Sequence, residues 1–276
     1  MTRAPAGNEP AVPPGSGPTV RRILLGSQLR RLREARGITR DEAGYHIRAS
    51  ESKISRMELG RVSFKVRDVE DLLSLYQLDD ESERLPLLAM ANAANLPGWW
   101  HRYGDVLADW FQPYVGLEEA ASVIRTYEVQ FVPGLLQTAD YARAVVARGN
   151  MGSPGAQIDS RVRLRMARQQ LLTRPDPPQL WAVLDEAALR RPIGGAEVMR
   201  AQLRALIDIS KLDNVTVQVT SFRSGGHAAE GGAFTILRFP EPDLSDVVYL
   251  EHVTSAIYLD RRSDVDTYLQ TMDRLC

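Results

Sequence analysis

The chain has 276 residues, of which 44% are hydrophobic and 25% are charged. This composition supports one or two domains with sizeable cores and excludes a chain that is disordered throughout. The only cysteine, Cys276, excludes a disulfide framework and a cysteine-based zinc site. Because the sequence has no signal-peptide pattern and no apolar run of about 18 residues, it predicts a cytoplasmic protein.

The net charge of −1 hides a strong asymmetry along the chain. Between Arg21 and Arg67 there are 13 arginines and lysines against 5 acidic residues, which gives this block a net charge of +8. Residues 1–20 balance, so residues 68–276 carry −9. A basic block beside an acidic body indicates either a polyanion partner for the block or a solvated helical surface, and charge alone does not choose between them.

The first 18 residues contain five prolines and three glycines and almost no large apolar side chains. We predict a disordered tail over residues 1–18 because this segment cannot bury enough apolar surface to order itself. A first helix follows, since Leu25, Leu29 and Leu32 recur at helical spacing. Gly37 is placed to end that helix.

The next residues predict two short helices joined by a tight turn. Thr39 and Glu42 have the spacing of a capping box at the start of the second helix. Ser50 is the expected N-cap of the third helix, whose buried face carries Ile54 and Met57. A fourth amphipathic helix is predicted around residues 66–76 and a fifth at 81–95. The sequence thus predicts a helical domain over residues 19–95.

The second and third helices satisfy the requirements of a helix-turn-helix. In such a motif one short helix braces another, whose N-terminal residues enter the major groove of DNA. Gly44 supplies a small residue where the helices cross, and polar residues surround the inward Ile54. We therefore expect residues 19–95 to bind double-stranded DNA, with a recognition helix at about 50–59.

Two runs in this region, 37–43 (GITRDEA) and 50–60 (SESKISRMELG), resemble the phage-repressor-type (XRE) helix-turn-helix. The resemblance covers about 55 residues, and it implies a five-helix bundle that binds DNA as a homodimer. One residue departs from the family pattern: Arg48 stands where the turn glycine is usual. A left-handed backbone there costs roughly 1–2 kcal/mol for a residue other than glycine, so a differently shaped turn is the alternative.

The resemblance also implies roles for individual residues. Arg56 is expected to read guanine, with a solvated arginine as the alternative, and Glu51 either accepts a hydrogen bond from cytosine or only suits the helix dipole. A partly buried pair of Arg33 and Glu58 is implied as structural. The predicted base contacts are Glu51, Ser52 and Arg56; the predicted phosphate contacts are Arg40, Ser50, Lys53 and Arg61, of which Ser50 is first a helix cap.

A breaker followed by aromatic residues, 96–100 (LPGWW), marks the expected domain junction. Beyond it the pattern predicts an α+β domain over residues 96–276 for regulation and dimerisation. Trp99, Trp100, Trp110 and Phe111 are expected to pack in a core or interface. The predicted strands are 122–130, 179–185, 215–220, 234–239, 247–251 and 255–259, and the predicted helices are 139–148, 159–172, 197–211 and about 262–275.

Three segments of this domain, 132–143, 161–170 and 243–260, resemble the C-terminal domain of an actinobacterial regulator family that carries an XRE helix-turn-helix. Some members are called antitoxin-like or WhiJ-like. The resemblance implies transcriptional control and a possible partner, a small BldB-like protein encoded nearby. It spans nearly all of residues 97–276.

Catalytic patterns are weak in this domain, so we expect no enzymatic activity, no metal site and no cofactor. The four histidines lack metal-ligand spacing. Ser210 and Lys211 are adjacent in a helix and do not face each other as a self-cleaving pair requires. The pairs Asp185–Glu186 and Glu251–His252 are expected to end strands rather than line a pocket. The segment 224–232 is expected to be a long hairpin loop rather than a lid over a ligand.

The sequence therefore favours a homodimeric, sequence-specific transcriptional regulator whose C-terminal domain dimerises and receives a signal or partner. An antitoxin-like protein that sequesters a small partner and regulates its own synthesis is the first alternative. An enzyme with a DNA-targeting domain is the second.

Overall fold

The computed structural model describes residues 17–242 and 244–275. The chain forms two compact units, and the division falls between Leu96 and Pro97. We call the described residues before this point the N-terminal unit and those after it the C-terminal unit.

The N-terminal unit consists of five helices, which confirms the predicted helical fold. Their apolar faces meet in a core that includes Leu25, Leu29, Ile54, Met57 and Leu73, all of which are at most 1% exposed. The helices are α1 (Pro18–Ala35), α2 (Arg40–His46), α3 (Glu51–Glu58), α4 (Val66–Leu75) and α5 (Glu81–Ala94).

The first helix begins earlier than the leucine pattern suggested. Pro18, placed in the disordered tail by the sequence, is the first residue of α1. Proline suits this position because its fixed φ matches a helix and its missing N–H has no helical partner there. Residues 1–16 of the predicted tail lie outside the described residues.

Helices α1 and α3 approach each other closely at Gly26. A Cβ atom on this residue would lie 2.4 Å from the carbonyl oxygen of Met57 and 2.6 Å from that of Glu58. Only glycine permits this approach, so α3 is seated directly against the backbone of α1.

The C-terminal unit is built on one six-stranded sheet with the order β3-β2-β1-β4-β5-β6. The first three strands are parallel, and the remaining pairs are antiparallel. Together with its helices this sheet confirms the predicted α+β class. The strands are β1 (Val123–Glu128), β2 (Gln179–Asp185), β3 (Val215–Thr220), β4 (Phe234–Arg238), β5 (Val247–Glu251) and β6 (Ala256–Leu259).

Helices cover both faces of this sheet. On one face Tyr127, Val183 and Phe234 pack in a cluster with Met272 of the last helix. On the other face the ring of Tyr114 lies 4.2 Å from that of Tyr249. The helices are α6 (Gln112–Ala120), α7 (Ala139–Gly149), α8 (Gly155–Gln169), α9 (Glu186–Arg190), α10 (Ala196–Ile209) and α11 (Arg262–Leu275).

The structure corrects several predicted boundaries in this unit. Helix α6 was not predicted, and α8 begins four residues before the predicted helix and gives way to a 3-10 turn at Gln170–Leu172. The first strand is shorter at both ends than predicted. Trp100 is buried against Leu107 and Leu164, as expected for a packing residue.

Candidate nucleic-acid interface

Helix α2 begins with the predicted capping box. The hydroxyl of Thr39 accepts a hydrogen bond from the backbone N–H of Glu42 at 3.2 Å, and the Glu42 carboxylate accepts from the Thr39 N–H at 2.7 Å. The bond from the Thr39 N–H, together with a second bond that the Thr39 hydroxyl donates to the carboxylate at 2.8 Å, lowers the pKa of the Glu42 carboxyl. The start of α2 is therefore fixed by two reciprocal bonds.

The turn between α2 and α3 is tight and has the left-handed conformation that the sequence placed in doubt. Arg48 adopts φ 55° although it is not glycine. A Cβ on Gly44 would lie 2.9 Å from the carbonyl oxygen of Ala49, so the small residue predicted at this crossing is required. The turn thus keeps the shape typical of a helix-turn-helix and accepts strain at Arg48.

Helix α3 has one anchored face and one open face. Ser50 caps it by accepting a hydrogen bond from the Lys53 N–H at 3.2 Å, and Ile54 and Met57 are 1% exposed. The three residues predicted to contact bases, Glu51, Ser52 and Arg56, are all exposed. The Arg56 guanidinium donates to the Ser52 carbonyl oxygen at 3.3 Å, one turn earlier on the same face.

The Arg33–Glu58 contact implied by the family resemblance is present and involves a third residue. Arg33 donates to Glu58 Oε2 at 3.1 Å, and Arg40 donates to the same oxygen at 2.9 Å. The side chain of Glu58 is only 2% exposed, and its hydrogen bond raises the pKa of the Arg33 guanidinium. This cluster ties α1, the start of α2 and the end of α3 together.

The residues predicted to contact phosphate differ in whether their side chains already bind other groups of the protein. Arg40 is held by Glu58, and Lys53 forms an ion pair with Asp68 of α4. The Ser50 hydroxyl is used in the helix cap. Arg61 is exposed, and its side chain has no ion pair within the described part of the chain. Neither carboxylate partner was foreseen, because Glu58 and Asp68 lie 18 and 15 residues from the cations they hold.

The C-terminal unit contains a buried polar layer that the sequence did not reveal. Arg168 of α8 donates two hydrogen bonds of 2.7 Å to Glu118 of α6. Nearby, burial and the neighbouring Glu251 raise the pKa of Glu128 to about 8. Burial also lowers the pKa of Arg165 to about 10. These groups lie between the sheet and the helices α6 and α8.

The acidic pairs at the strand ends mostly make local contacts. Asp185 caps α9 by accepting from the Ala187 N–H at 2.7 Å, and Glu186 accepts from the Phe222 N–H at 2.8 Å. Glu251 accepts from the Tyr249 hydroxyl at 2.9 Å. His252 is exposed in the turn after β5.

The segment 224–232 is not the predicted hairpin loop, because the strands that it joins, β3 and β4, are not neighbours in the sheet, and it is held at its middle by a histidine. His227 Nε2 lies 2.9 Å from the Tyr127 hydroxyl and 3.7 Å from Asp185 Oδ2. The pair considered for self-cleavage is separated, because Lys211 contacts Asp208 and the Ser210 hydroxyl donates to the Ile207 carbonyl.

Two features are absent from residues 17–242 and 244–275. These residues contain no cluster of three or more His, Cys, Asp or Glu side chains arranged to hold a metal ion. They also contain no helix long and apolar enough to cross a membrane.

Comparison with known families agrees with the division into two units. Residues 24–87 match a helix-turn-helix domain, and residues 111–276 match a domain of unknown function, DUF5753. Because the second match covers more than half of the chain, this protein belongs to the DUF5753 family. No curated protein and no solved structure matches the chain. A helix-turn-helix domain is typical of a DNA-binding regulator.

Proposed function

We propose that this protein is a cytoplasmic, sequence-specific transcriptional regulator that binds double-stranded DNA as a homodimer. Helix α3 enters the major groove, and the N-terminal unit belongs to the XRE type. The five-helix order and the Arg33–Glu58 pair support this assignment.

The observation that carries the proposal is the two-sided character of α3. Its inward face is fixed by buried apolar residues and by the glycine contact with α1. Its outward face presents Glu51, Ser52 and Arg56 to solvent. A rigid helix with exposed polar residues near its N-terminus is what reading base edges requires.

The contacts of the cations refine their proposed roles. Arg56 reads a guanine through O6 and N7, and Arg61, which has no competing carboxylate in the described residues, meets a phosphate. Arg40 is paired with Glu58 and Lys53 with Asp68, so each contacts a phosphate only if it divides its hydrogen bonds with that carboxylate or breaks the ion pair. Their contribution to affinity is therefore smaller than that of a free cation.

We assign dimerisation and the receipt of a protein or small-molecule signal to the C-terminal unit. The resemblance to actinobacterial WhiJ-like and antitoxin-like regulators supports a small BldB-like partner.

Selection of bound DNA from genomic fragments with the full-length protein tests the proposal. We expect an enriched inverted repeat whose half-sites lie about 10 base pairs apart, because a two-fold dimer places its recognition helices about one turn apart. Binding should also weaken steeply with salt, with a slope of about −0.9 for each neutralised phosphate. Absence of any enriched motif contradicts the proposal, and co-purification of a small partner in that case favours the antitoxin-like alternative.

A further inference from the structure

Strand β3 is an unprotected edge of the sheet. Within residues 17–242 and 244–275, its only neighbour in the sheet is β2. Its six residues, VTVQVT, include no proline, glycine or charged residue. Natural edge strands usually carry a charge, a proline or a bulge that prevents pairing with another chain. The absence of these features in β3 makes pairing with a further strand favourable.

The outward backbone groups of β3 belong to Val217 and Val219. The carbonyl of Asn214 accepts a hydrogen bond from the Leu180 N–H of β2 at 2.8 Å. Because alternate residues of a parallel strand bond to the same neighbour, the even-numbered residues of β3 face β2 and the odd-numbered ones face away. Among the described residues, the N–H and C=O groups of Val217 and Val219 have no hydrogen-bond partner outside the sheet.

Exposed apolar side chains are concentrated around this edge. Val219 lies on β3 and is 45% exposed, and Phe222 follows the strand and is 56% exposed. Ile207 near the end of α10 is 63% exposed, and Leu212 in the turn before β3 is exposed as well. Exposed apolar residues on an unpaired edge strand, and next to it along the chain, are features that favour pairing with another chain.

We propose that β3 pairs in antiparallel fashion with β3 of a second copy of this chain. The two-fold axis passes midway between the Gln218 residues of the two copies. This inference specifies the contact surface of the dimer in the proposed function. It rests on that function only in assuming that two subunits associate. In this register Val217 of each chain lies opposite Val219 of the partner subunit. These two pairs exchange four backbone hydrogen bonds and join two six-stranded sheets into one.

The symmetry of the sheet selects this kind of register. A two-fold axis perpendicular to the sheet keeps each face on the same side, so paired residues must come from the same face. Val217 and Val219 meet this condition because side chains two apart in a strand share a face. Pairings shifted by one residue would place valine opposite glutamine and are excluded.

Charge complementarity favours a second copy over an unrelated strand. The same axis places Asp213, in the turn two residues before β3, near the partner subunit's Arg223, in the 3-10 turn that follows β3, and the symmetry repeats this pair. Both side chains are exposed, and neither forms an ion pair within the described part of the chain. An antiparallel copy of β3 therefore supplies an opposite charge at each end of the new pairing.

Sedimentation equilibrium of the full-length protein without DNA tests the inference. We expect a dimer, and we expect Val219→Lys to raise its dissociation constant at least about tenfold, because two ammonium groups then face the shared edge. The matched control is Val253→Lys in the turn at the opposite side of the sheet, where Val253 is 98% exposed. This control variant should dimerise as the wild type does.

A charge exchange provides a second test that does not depend on the apolar edge. Asp213→Arg and Arg223→Asp should each weaken the dimer several-fold, and the double variant should restore it to within about two-fold of the wild type. A monomeric wild type, a Val219→Lys dimer of unchanged affinity, or a double variant weaker than both single ones overturns the inference. A β3 dimer that selects no DNA contradicts only the proposed function, and a DNA-selecting protein whose dimer ignores these substitutions contradicts only this inference.

Discussion

The two units each bury one arginine–glutamate pair, but they use it differently. In the N-terminal unit Glu58 is shared between Arg33 in the interior and Arg40, whose side chain is 34% exposed. In the C-terminal unit Arg168 pairs with Glu118, and both side chains are at most 8% exposed. The first pair connects the core to the surface, whereas the second lies wholly inside.

This difference determines what each pair can orient. The Glu58 cluster fixes the beginning of α2 and the end of α3, which are the helices that carry the proposed DNA contacts. Arg168 instead lies 5.1 Å from the ring centre of Phe111 and 5.4 Å from that of Tyr114. Its ion pair and ring contacts hold α6 and α8 against the sheet. Buried charge therefore positions the helices of the proposed DNA contacts in one unit and consolidates packing in the other.

Among the substitutions that test this difference between the units, Glu118→Ala is expected to have the largest effect on stability. Removing one partner of a buried ion pair leaves an uncompensated charge and costs about 3–5 kcal/mol of unfolding free energy. All four tryptophans lie in the C-terminal unit, so tryptophan fluorescence during urea unfolding reports on this unit alone.

Asp208→Ala is the matched control for that experiment, because it removes an exposed partner of Lys211. Such a surface pair contributes at most about 1 kcal/mol. Equal losses of unfolding free energy in the two variants would show that the buried Glu118–Arg168 pair stabilises the C-terminal unit no more than a surface pair does.

A smaller effect, of opposite sign, is expected from Glu128→Gln. Burial and Glu251 raise the pKa of Glu128 to about 8, so the fold favours the protonated form. The protonated carboxyl therefore contributes fully to the free energy of unfolding when the pH is below the pKa of Glu128 in the unfolded chain. This contribution is lost as the pH rises through about 8. The variant should match the wild type near pH 4 and be more stable by about 2 kcal/mol at pH 9. This gain is smaller than the roughly 5 kcal/mol that the full rise in pKa corresponds to, because Glu128 is only partly buried and solvent screens its charge. A difference that does not change with pH would contradict this interpretation.

The smallest effect is expected at the turn of the N-terminal unit. Arg48→Gly should raise the unfolding free energy of this unit by about 1 kcal/mol, because glycine adopts positive φ without strain. Arg48→Ala removes the same charge but keeps a Cβ, so it should bring no such gain. Hydrogen exchange of the backbone amides of α1, α2 and α3 in the full-length protein measures the stability of this unit separately from the C-terminal unit. A gain from alanine as large as that from glycine would assign the effect to charge instead of backbone strain.

Local patterns were sufficient to predict much of both units. The capping residues Thr39 and Ser50 and the bounds of β2, β3 and β5 were predicted to the residue, because each depends on a few neighbouring side chains. Helix α6 was not predicted. Its sequence is aromatic, contains glycine and follows Trp110 and Phe111, and this composition indicated a packed loop instead of a helix.

Contacts between distant parts of the chain were not predictable in the same way. The ion pairs of Arg40 and Lys53 depend on how α2, α3 and α4 are placed, which no local spacing encodes. The order of the sheet, and with it the free edge at β3, likewise depends on tertiary packing. The Arg33–Glu58 contact was available beforehand only through the family resemblance.

The most direct test compares Arg56→Ala with Arg61→Ala on the selected operator and on a shuffled duplex over the same series of salt concentrations. Arg56→Ala should cost about 1–3 kcal/mol on the operator and much less on the shuffled duplex. Arg61→Ala should weaken binding to both equally and reduce the salt slope by about 1. If Arg56→Ala weakens both duplexes to the same extent, α3 does not read bases through this residue, and the central claim is contradicted.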